Sequence, residues 1–145
     1  MDKDELFKSM KNILDKLLKQ TDSYTLIFKQ KDFFTFSDIE ERRKIYKREY
    51  YSFICDFNTA YSSLKQHISE IVTLFLDSDR NANEEKTILF KSIFEKHLLL
   101  EKELLVFTST TEKELSEKEP SVSLLLDSAN RLSISIRSLL DSLPS

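Results

Sequence analysis

Apolar residues recur along most of the chain at steps of three and four positions, which is the spacing of one face of an α-helix. In the first segment these positions are Leu6, Met10, Ile13, Leu17, Tyr24 and Ile27. The series weakens only near Gln20 and stops before KDFFTF, which we interpret as a short connection. The pattern predicts a first helix over about residues 4–30.

The second segment has the longest and most regular pattern. Ser37 and Glu40 form the S-x-x-E signature of a helix start, in which the serine accepts a backbone N–H and the glutamate reaches back to the cap. The apolar stripe then contains Ile39, Tyr46, Tyr50, Phe53, Phe57, Leu64, Ile68, Ile71 and Phe75, with Arg43 and either Ala60 or Tyr61 at the intervening steps. A helix over about residues 38–76 would be roughly 55–60 Å long, which favours an elongated bundle.

Two further helices are predicted after polar connections. DSDRNAN, with Asn83 as a cap, precedes a helix over about residues 84–115, and SEKEPS ends it because the residue before Pro120 avoids helical geometry. The third stripe contains Leu89, Ile93, His97 or Leu98, Leu100, Leu104, Phe107 or Thr108, and Leu115. The fourth helix, over about residues 121–143, has a stripe of Val122, Leu125, Ala129, Leu132, Ile136, Leu139 and Leu143.

These segments predict an all-α fold, an elongated antiparallel bundle of three to four helices in a single domain over residues 1–145. An apolar period close to 3.5 favours supercoiled packing. Connections of about six or seven residues favour antiparallel neighbours. We expect the second and third helices to form a long helical hairpin, with the first and fourth helices packed along it.

Composition excludes several function classes. Glycine is absent, and glycine provides the positive φ of tight turns and phosphate-binding loops. Its absence argues against hairpin-rich β structure and excludes the dinucleotide fingerprint and the P-loop. A net charge of −3 gives no overall attraction to nucleic acid or anionic lipid. MDKDELFKSMKNIL has no signal-peptide core, and no stretch approaches the roughly 20 apolar residues of a membrane span, so we expect a cytoplasmic protein.

Candidate catalytic groups are few. Neither His67 nor His97 follows a glutamate in the E-x-x-H spacing of helical metal centres, so we expect surface or boundary histidines. Cys55 cannot form an internal disulfide, and the neighbouring Asp56 disfavours a thiolate, so a partly buried small residue is expected. No serine-nucleophile motif occurs. The sequence therefore predicts no enzyme, no metal and no cofactor.

The stretch FSDIEERRKIYKREYY raises the question of nucleic-acid binding. It contains five basic and four acidic side chains, and Tyr46 and Tyr50, which could stack on bases, fall on the buried stripe. Glu40 lies four residues before Lys44, an arrangement that stabilises the helix itself. We favour a solvated, self-paired helix face and no nucleic-acid partner, with a regulator that binds nucleic acid through Arg42 to Arg48 as an alternative.

The order of these features resembles the small helical export chaperones of bacterial flagella, the FliT and FlgN type. In that family a D-φ-x-x-φ-x-x-φ-E-x-R stretch opens the second helix. Asp32, Phe33, Phe36, Ile39 and Glu40 match it, and Arg43, one position beyond the motif's spacing, is assigned as its arginine. The resemblance covers about the first 115 residues. It implies a non-catalytic cytoplasmic binding protein that captures an amphipathic helix of a secreted client, such as a hook-associated or filament-cap protein, and delivers it to the export gate.

The fourth helix is the candidate partner-binding element. Outside its stripe it is rich in serine, which forms helices less readily than alanine or leucine, so its stability depends on packing. It would either dock permanently or leave to expose a groove for a client helix. The candidate partner-binding residues are Val122, Leu125, Ala129, Leu132, Ile136, Leu139 and Arg43.

A structural or scaffolding coiled coil that self-associates is the main alternative function. The second and third segments could pair between two chains as easily as within one chain. The sequence leaves a homodimer open for that reason.

Overall fold

The computed structural model describes residues 2–29, 38–77 and 84–144. It contains four helices, α1 (Lys3–Lys29), α2 (Ile39–Asp77), α3 (Glu84–Ser116) and α4 (Val122–Ser142). Helix accounts for 93% of the described residues, and none of them lies in a strand. The predicted all-α fold is confirmed, and each helix begins and ends within one residue of its predicted bounds.

The helix starts use side-chain caps. The Asp38 carboxylate accepts a hydrogen bond from the Glu41 backbone N–H at 2.7 Å, which satisfies one of the free donors at the start of α2. Ser121 has an extended backbone and accepts from the Leu124 N–H at 3.3 Å, which caps α4. The predicted caps Ser37 and Asn83, the KDFFTF connection and residues 78–83 lie outside the described residues.

Helices that follow one another along the chain pack antiparallel in the first two pairs. Near one end, Ser9 of α1 hydrogen-bonds His67 of α2 at 2.8 Å, and further along α1 the Tyr24 ring stacks on Phe53. The α2–α3 pair is also antiparallel, since Tyr50 contacts Glu112 while Phe75 contacts Phe90.

The two remaining neighbouring pairs close the bundle. Arg131 of α4 bonds Glu103 of α3, and Ser133 of α4 donates to Asp22 of α1 at 3.3 Å. Each helix thus has two neighbours in an up-down-up-down bundle. The predicted hairpin of α2 and α3 is present, and α1 and α4 pack along it as expected.

The four neighbouring pairs are not equally close. The backbones of α2 and α3 approach each other least, and large rings such as Phe53 and Phe107, whose centroids are 5.6 Å apart, fill the space between them. By contrast, α4 presents small buried residues, Ser128, Ala129 and Ser135, to its neighbours. Small side chains permit close helix approach, so the serine-rich composition of α4 serves its docking.

The buried serines of α4 are satisfied within their own helix. The Ser128 hydroxyl donates to the Leu125 carbonyl at 3.1 Å, and the Ser135 hydroxyl donates to the Leu132 carbonyl at 2.7 Å. A buried hydroxyl without a partner would cost free energy. These bonds let α4 bury polar residues in an otherwise apolar interface.

The core departs from the predicted stripes in the first helix. Leu14, Thr21 and Phe28 are buried there, whereas Ile13 and Ile27 are only partly buried. Thr21 fills the gap that the sequence pattern left near Gln20, because its hydroxyl donates to the Leu17 carbonyl at 2.8 Å. A threonine that satisfies its own hydroxyl thus takes a core position that the apolar pattern did not mark.

Truncation of Leu132 tests the packing of α4. Leu132 is fully buried, so Leu132→Ala should lower the free energy of unfolding by about 2–5 kcal/mol. Leu124 lies on the same helix and is 50% exposed, so Leu124→Ala, the same chemical change, should alter it by only about 0.5 kcal/mol. Urea denaturation followed by circular dichroism measures both values, and equal losses would contradict the described packing of α4.

Candidate functional site

The stripe predicted to bind a partner forms part of the hydrophobic core. Its central residues are each no more than 1% exposed: Leu125, Ala129, Leu132, Ile136 and Leu139. Val122, at the start of the helix, is partly buried. A client helix would reach this stripe only after α4 had left the bundle.

Polar contacts at its edges also hold α4 in place. The Arg131 guanidinium lies 3.0 Å from the Glu103 carboxylate, which is mostly buried. The Glu114 carboxylate accepts the backbone N–H of Ser121 at 2.9 Å, so it caps the connection into α4. Glu103 and Glu114 were not singled out from the sequence, because a glutamate on a helix is usually solvated and its spacing alone does not mark a buried partner.

Arg43 and Val122 meet at the end of the bundle, away from the other candidate residues. They line a cleft of about 110 Å³ together with Ile39, Arg42, Tyr46, Glu119 and Pro120. One Arg43 guanidinium nitrogen donates to the Glu117 carbonyl at 3.3 Å. The structure thus divides the predicted site into a buried α4 stripe and a small cleft at the start of α2.

A row of large apolar side chains lies exposed on α3, and the sequence analysis did not identify it as a surface. Its members, which we call the α3 outer row, are Ile88, Leu98, Leu99 and Leu105, with 61%, 62%, 39% and 67% of each side chain exposed. At 3.6 residues per turn they fall within about one third of the helix circumference, over roughly 26 Å. Exposed apolar side chains that share one helix face form a candidate interaction surface.

The sequence pattern included one member of this row, Leu98, but as a possible core position. Leu98 was an alternative to His97 in the third stripe, but His97 is buried and Leu98 points outward. Leu98 and Leu105 are seven positions apart, so they lie one above the other on the outer face. Lys91, Glu95 and Lys102 share that face with the members of the row, so the face contains both apolar and charged residues.

A polar cluster links α2 and α3 inside the bundle. The His97 Nε2 atom lies 3.3 Å from the Tyr61 hydroxyl and 3.7 Å from a Glu101 carboxylate oxygen. Burial lowers the pKa of His97, while Glu101 raises it and Lys65 lowers it to smaller extents. The expectation of a surface or boundary position is wrong for His97, although it holds for the partly buried His67.

Burial also shifts the pKa of two tyrosines in the bundle, Tyr50 and Tyr61. Burial raises the pKa of Tyr61, and the nearby Glu101 charge adds to this effect. Burial also raises the pKa of Tyr50, whose hydroxyl donates to the Glu112 carboxylate at 3.4 Å. Both hydroxyls therefore remain protonated donors in the seam between α2 and α3, and neither is an activated base.

Two further features bear on possible chemistry, the Cys55 thiol and a groove between α1 and α2. Cys55 is exposed, so the expected partial burial is wrong. An open groove of about 620 Å³ between α1 and α2 is lined by Lys16, Glu49 and Asp56 around the stacked Tyr24 and Phe53 rings. Within residues 2–29, 38–77 and 84–144, no three His, Cys, Asp or Glu side chains converge on a metal position.

The basic start of α2 has less internal pairing than expected. Arg48 lies 3.5 Å from Glu49, which is an exposed and therefore weak ion pair. Glu40 and Lys44 form no ion pair in the described part of the chain. The self-paired helix face predicted for this stretch is thus only partly present.

Comparisons with protein-family models, with curated proteins and with solved structures found no match. The helices of the described residues include none long and apolar enough to cross a membrane.

The buried His97 predicts a loss of stability in mild acid. Its pKa is lowered in the folded state, so below the ordinary value of about 6.5 the unfolded chain binds a proton that the folded chain does not. The free energy of unfolding should fall as the pH drops from 7.5 to 5.5, by at most about 1.4 kcal/mol per pH unit. Urea denaturation at a series of pH values measures this slope.

His97→Gln should flatten this slope, because the titrating group is removed. His67→Gln is the matched control, since it removes the other histidine and retains His97. An equal slope in the wild type and in His97→Gln would show that the buried imidazole does not cause the effect.

Proposed function

We propose that this protein is a non-catalytic helical binding protein that captures an amphipathic helix of a client through the α3 outer row. The supporting observation is the exposure of Leu98 and Leu105, two turns apart on a helix whose opposite face is fully packed. Helix capture commonly uses apolar anchors at such spacings. A client that covers this row buries apolar surface without any rearrangement of the bundle.

The resemblance to flagellar export chaperones supplies the class of client. On this proposal the protein acts in the cytoplasm, holds the terminal helix of a hook-associated or filament-cap protein, and releases it at the export gate. The elongated all-α bundle is compatible with this role. The motif residues Ile39, Glu40 and Arg43 lie at the start of α2, while Asp32, Phe33 and Phe36 fall outside the described residues.

Paired charge insertions on α3 test the capture surface. Leu98→Glu with Leu105→Glu should weaken binding of purified terminal segments of the organism's own hook-associated and filament-cap proteins by tenfold or more. The reason is that each covered leucine contributes about 1.5–3 kcal/mol. Isothermal titration calorimetry measures the dissociation constants.

Ile134→Glu is the matched control for this test. Ile134 on α4 is 67% exposed, the same fraction as Leu105, but it lies on another helix. Its replacement should leave the affinity unchanged. Equal losses in the α3 variant and in this control would contradict capture at the α3 outer row, and no binding of any flagellar segment would reject the proposed client class.

Self-association is the competing use of the same row. If a second copy covers Leu98 and Leu105, light scattering over a concentration series will show dimers that the double glutamate variant loses. A protein that stays monomeric at high concentration counts against the scaffold alternative.

Capture at the α4 stripe stays a prediction, and the structure gives it an energetic condition. Four fully buried leucine and isoleucine side chains would be exposed by release of α4, at a cost on the order of 10 kcal/mol. This is comparable to the whole stability of a small domain. The client helix would therefore have to take the place of α4 in the bundle, because spontaneous release of α4 costs too much free energy.

Removal of α4 tests this second mode. A chain that ends at Glu119 should stay helical by circular dichroism and bind the client segment more tightly, because the groove is already open. Unchanged affinity, or loss of helical structure, would reject capture by exchange of α4.

A further inference from the structure

We propose that the cleft at the start of α2 is a binding site for an oxyanion, either a carboxylate or a phosphate group. The cleft is lined by Arg42 and Arg43 on one side and by Pro120 and Val122 on the other. This proposal does not depend on the client-binding function of α3, because it concerns a different end of the bundle.

The first support is an unsatisfied donor. The Arg42 Nε atom is buried and has no hydrogen-bond partner among the described residues. A buried N–H without an acceptor costs free energy, and such groups are rare in folded proteins. The guanidinium group that carries this unsatisfied N–H lines the cleft, so its positive charge is available to an oxyanion there.

The second support is that neither guanidinium group of the cleft forms an ion pair in the described part of the chain. Arg48 and Arg131 lie within 3.5 Å and 3.0 Å of a glutamate, whereas Arg42 and Arg43 form no ion pair in the described part of the chain. Arg43 instead donates one nitrogen to the Glu117 carbonyl, a neutral acceptor. This contact positions the Arg43 side chain at the cleft and leaves its positive charge uncompensated.

The size and walls of the cleft define the ligand class. A volume of about 110 Å³ accommodates a single carboxylate or phosphate group. Ile39, Pro120 and Val122 contribute the apolar part of the lining. Guanidinium groups match the paired oxygens of carboxylate and phosphate.

One acidic residue also lines the cleft. Glu119 forms no ion pair with either arginine, so the two positive charges outnumber it. Burial raises the pKa of the adjacent Tyr46, and the nearby Arg42 charge opposes that rise. The local field therefore favours an anion.

The test is a titration of the full-length ¹⁵N-labelled protein with inorganic phosphate and, separately, with sodium acetate, at constant ionic strength. We expect a saturable shift of the Arg42 Nε–H resonance with a dissociation constant in the millimolar range. Saturation by acetate identifies a carboxylate site, and saturation by phosphate alone identifies a phosphate site. A linear, unsaturated shift with both ions would overturn the proposal.

Substitutions at the two arginines test whether the anion binds in this cleft. Arg42→Gln with Arg43→Gln should weaken binding by tenfold or more, measured on backbone resonances of residues 39–46 and 119–122. Arg137→Gln removes an exposed arginine of α4 and should leave the affinity unchanged. Equal affinity in the double variant would overturn the proposal. Should that variant fail to fold, the Arg42 Nε–H resonance of the wild-type protein decides the question.

Discussion

Three aromatic rings, one each from α1, α2 and α3, meet near the middle of the bundle and set its spacing. Tyr24 stacks on Phe53 at 4.6 Å, and both rings contact Phe107 edge-on at 5.9 Å and 5.6 Å. Edge-to-face and offset contacts of this kind add to the energy of area burial. Because all three rings are buried, the three helices must keep the distance that the rings require.

This spacing explains why the two halves of the bundle pack differently. The α2–α3 seam must accommodate rings along its length, and it also holds the polar contacts of Tyr50 and Tyr61. The fourth helix has no aromatic residue. It completes the core with leucine, isoleucine and small side chains, so its close docking compensates for the wide seam on the other side.

Periodicity predicted the helices well because helix formation depends on short-range spacing within the chain. It could not choose between His97 and Leu98, or between Phe107 and Thr108, because both members of each pair lie near the same edge of the helix. The choice depends on the neighbouring helix, where Tyr61 offers a hydroxyl to an imidazole and Phe53 offers a ring to Phe107. Buried Thr21, Glu103 and Glu114 were missed for the same reason, since their partners lie in other parts of the structure or in the backbone.

The same limit of periodicity applies to the candidate partner-binding residues. The sequence identified the apolar stripe of α4, but an apolar stripe predicts burial, and the structure buries it under its own bundle. The α3 outer row is informative because it departs from that rule: Leu98 and Leu105 are apolar and have no partner helix in the described chain. A surface for another protein is recognised by what the fold leaves uncovered, which periodicity alone does not reveal.

The positions of the two proposed sites constrain a client that uses both. Leu105 and Glu117 are twelve residues apart along α3 and the connection that follows it, which corresponds to roughly 18 Å of helix. No single side chain spans that distance, but one amphipathic helix of about twelve residues or more does. If a client helix anchored on Leu98 and Leu105 also has an anionic group, that group must lie beyond the apolar anchors to reach Arg42 and Arg43. The two sites together would then fix the direction in which the helix lies, since only one orientation brings that group to the cleft.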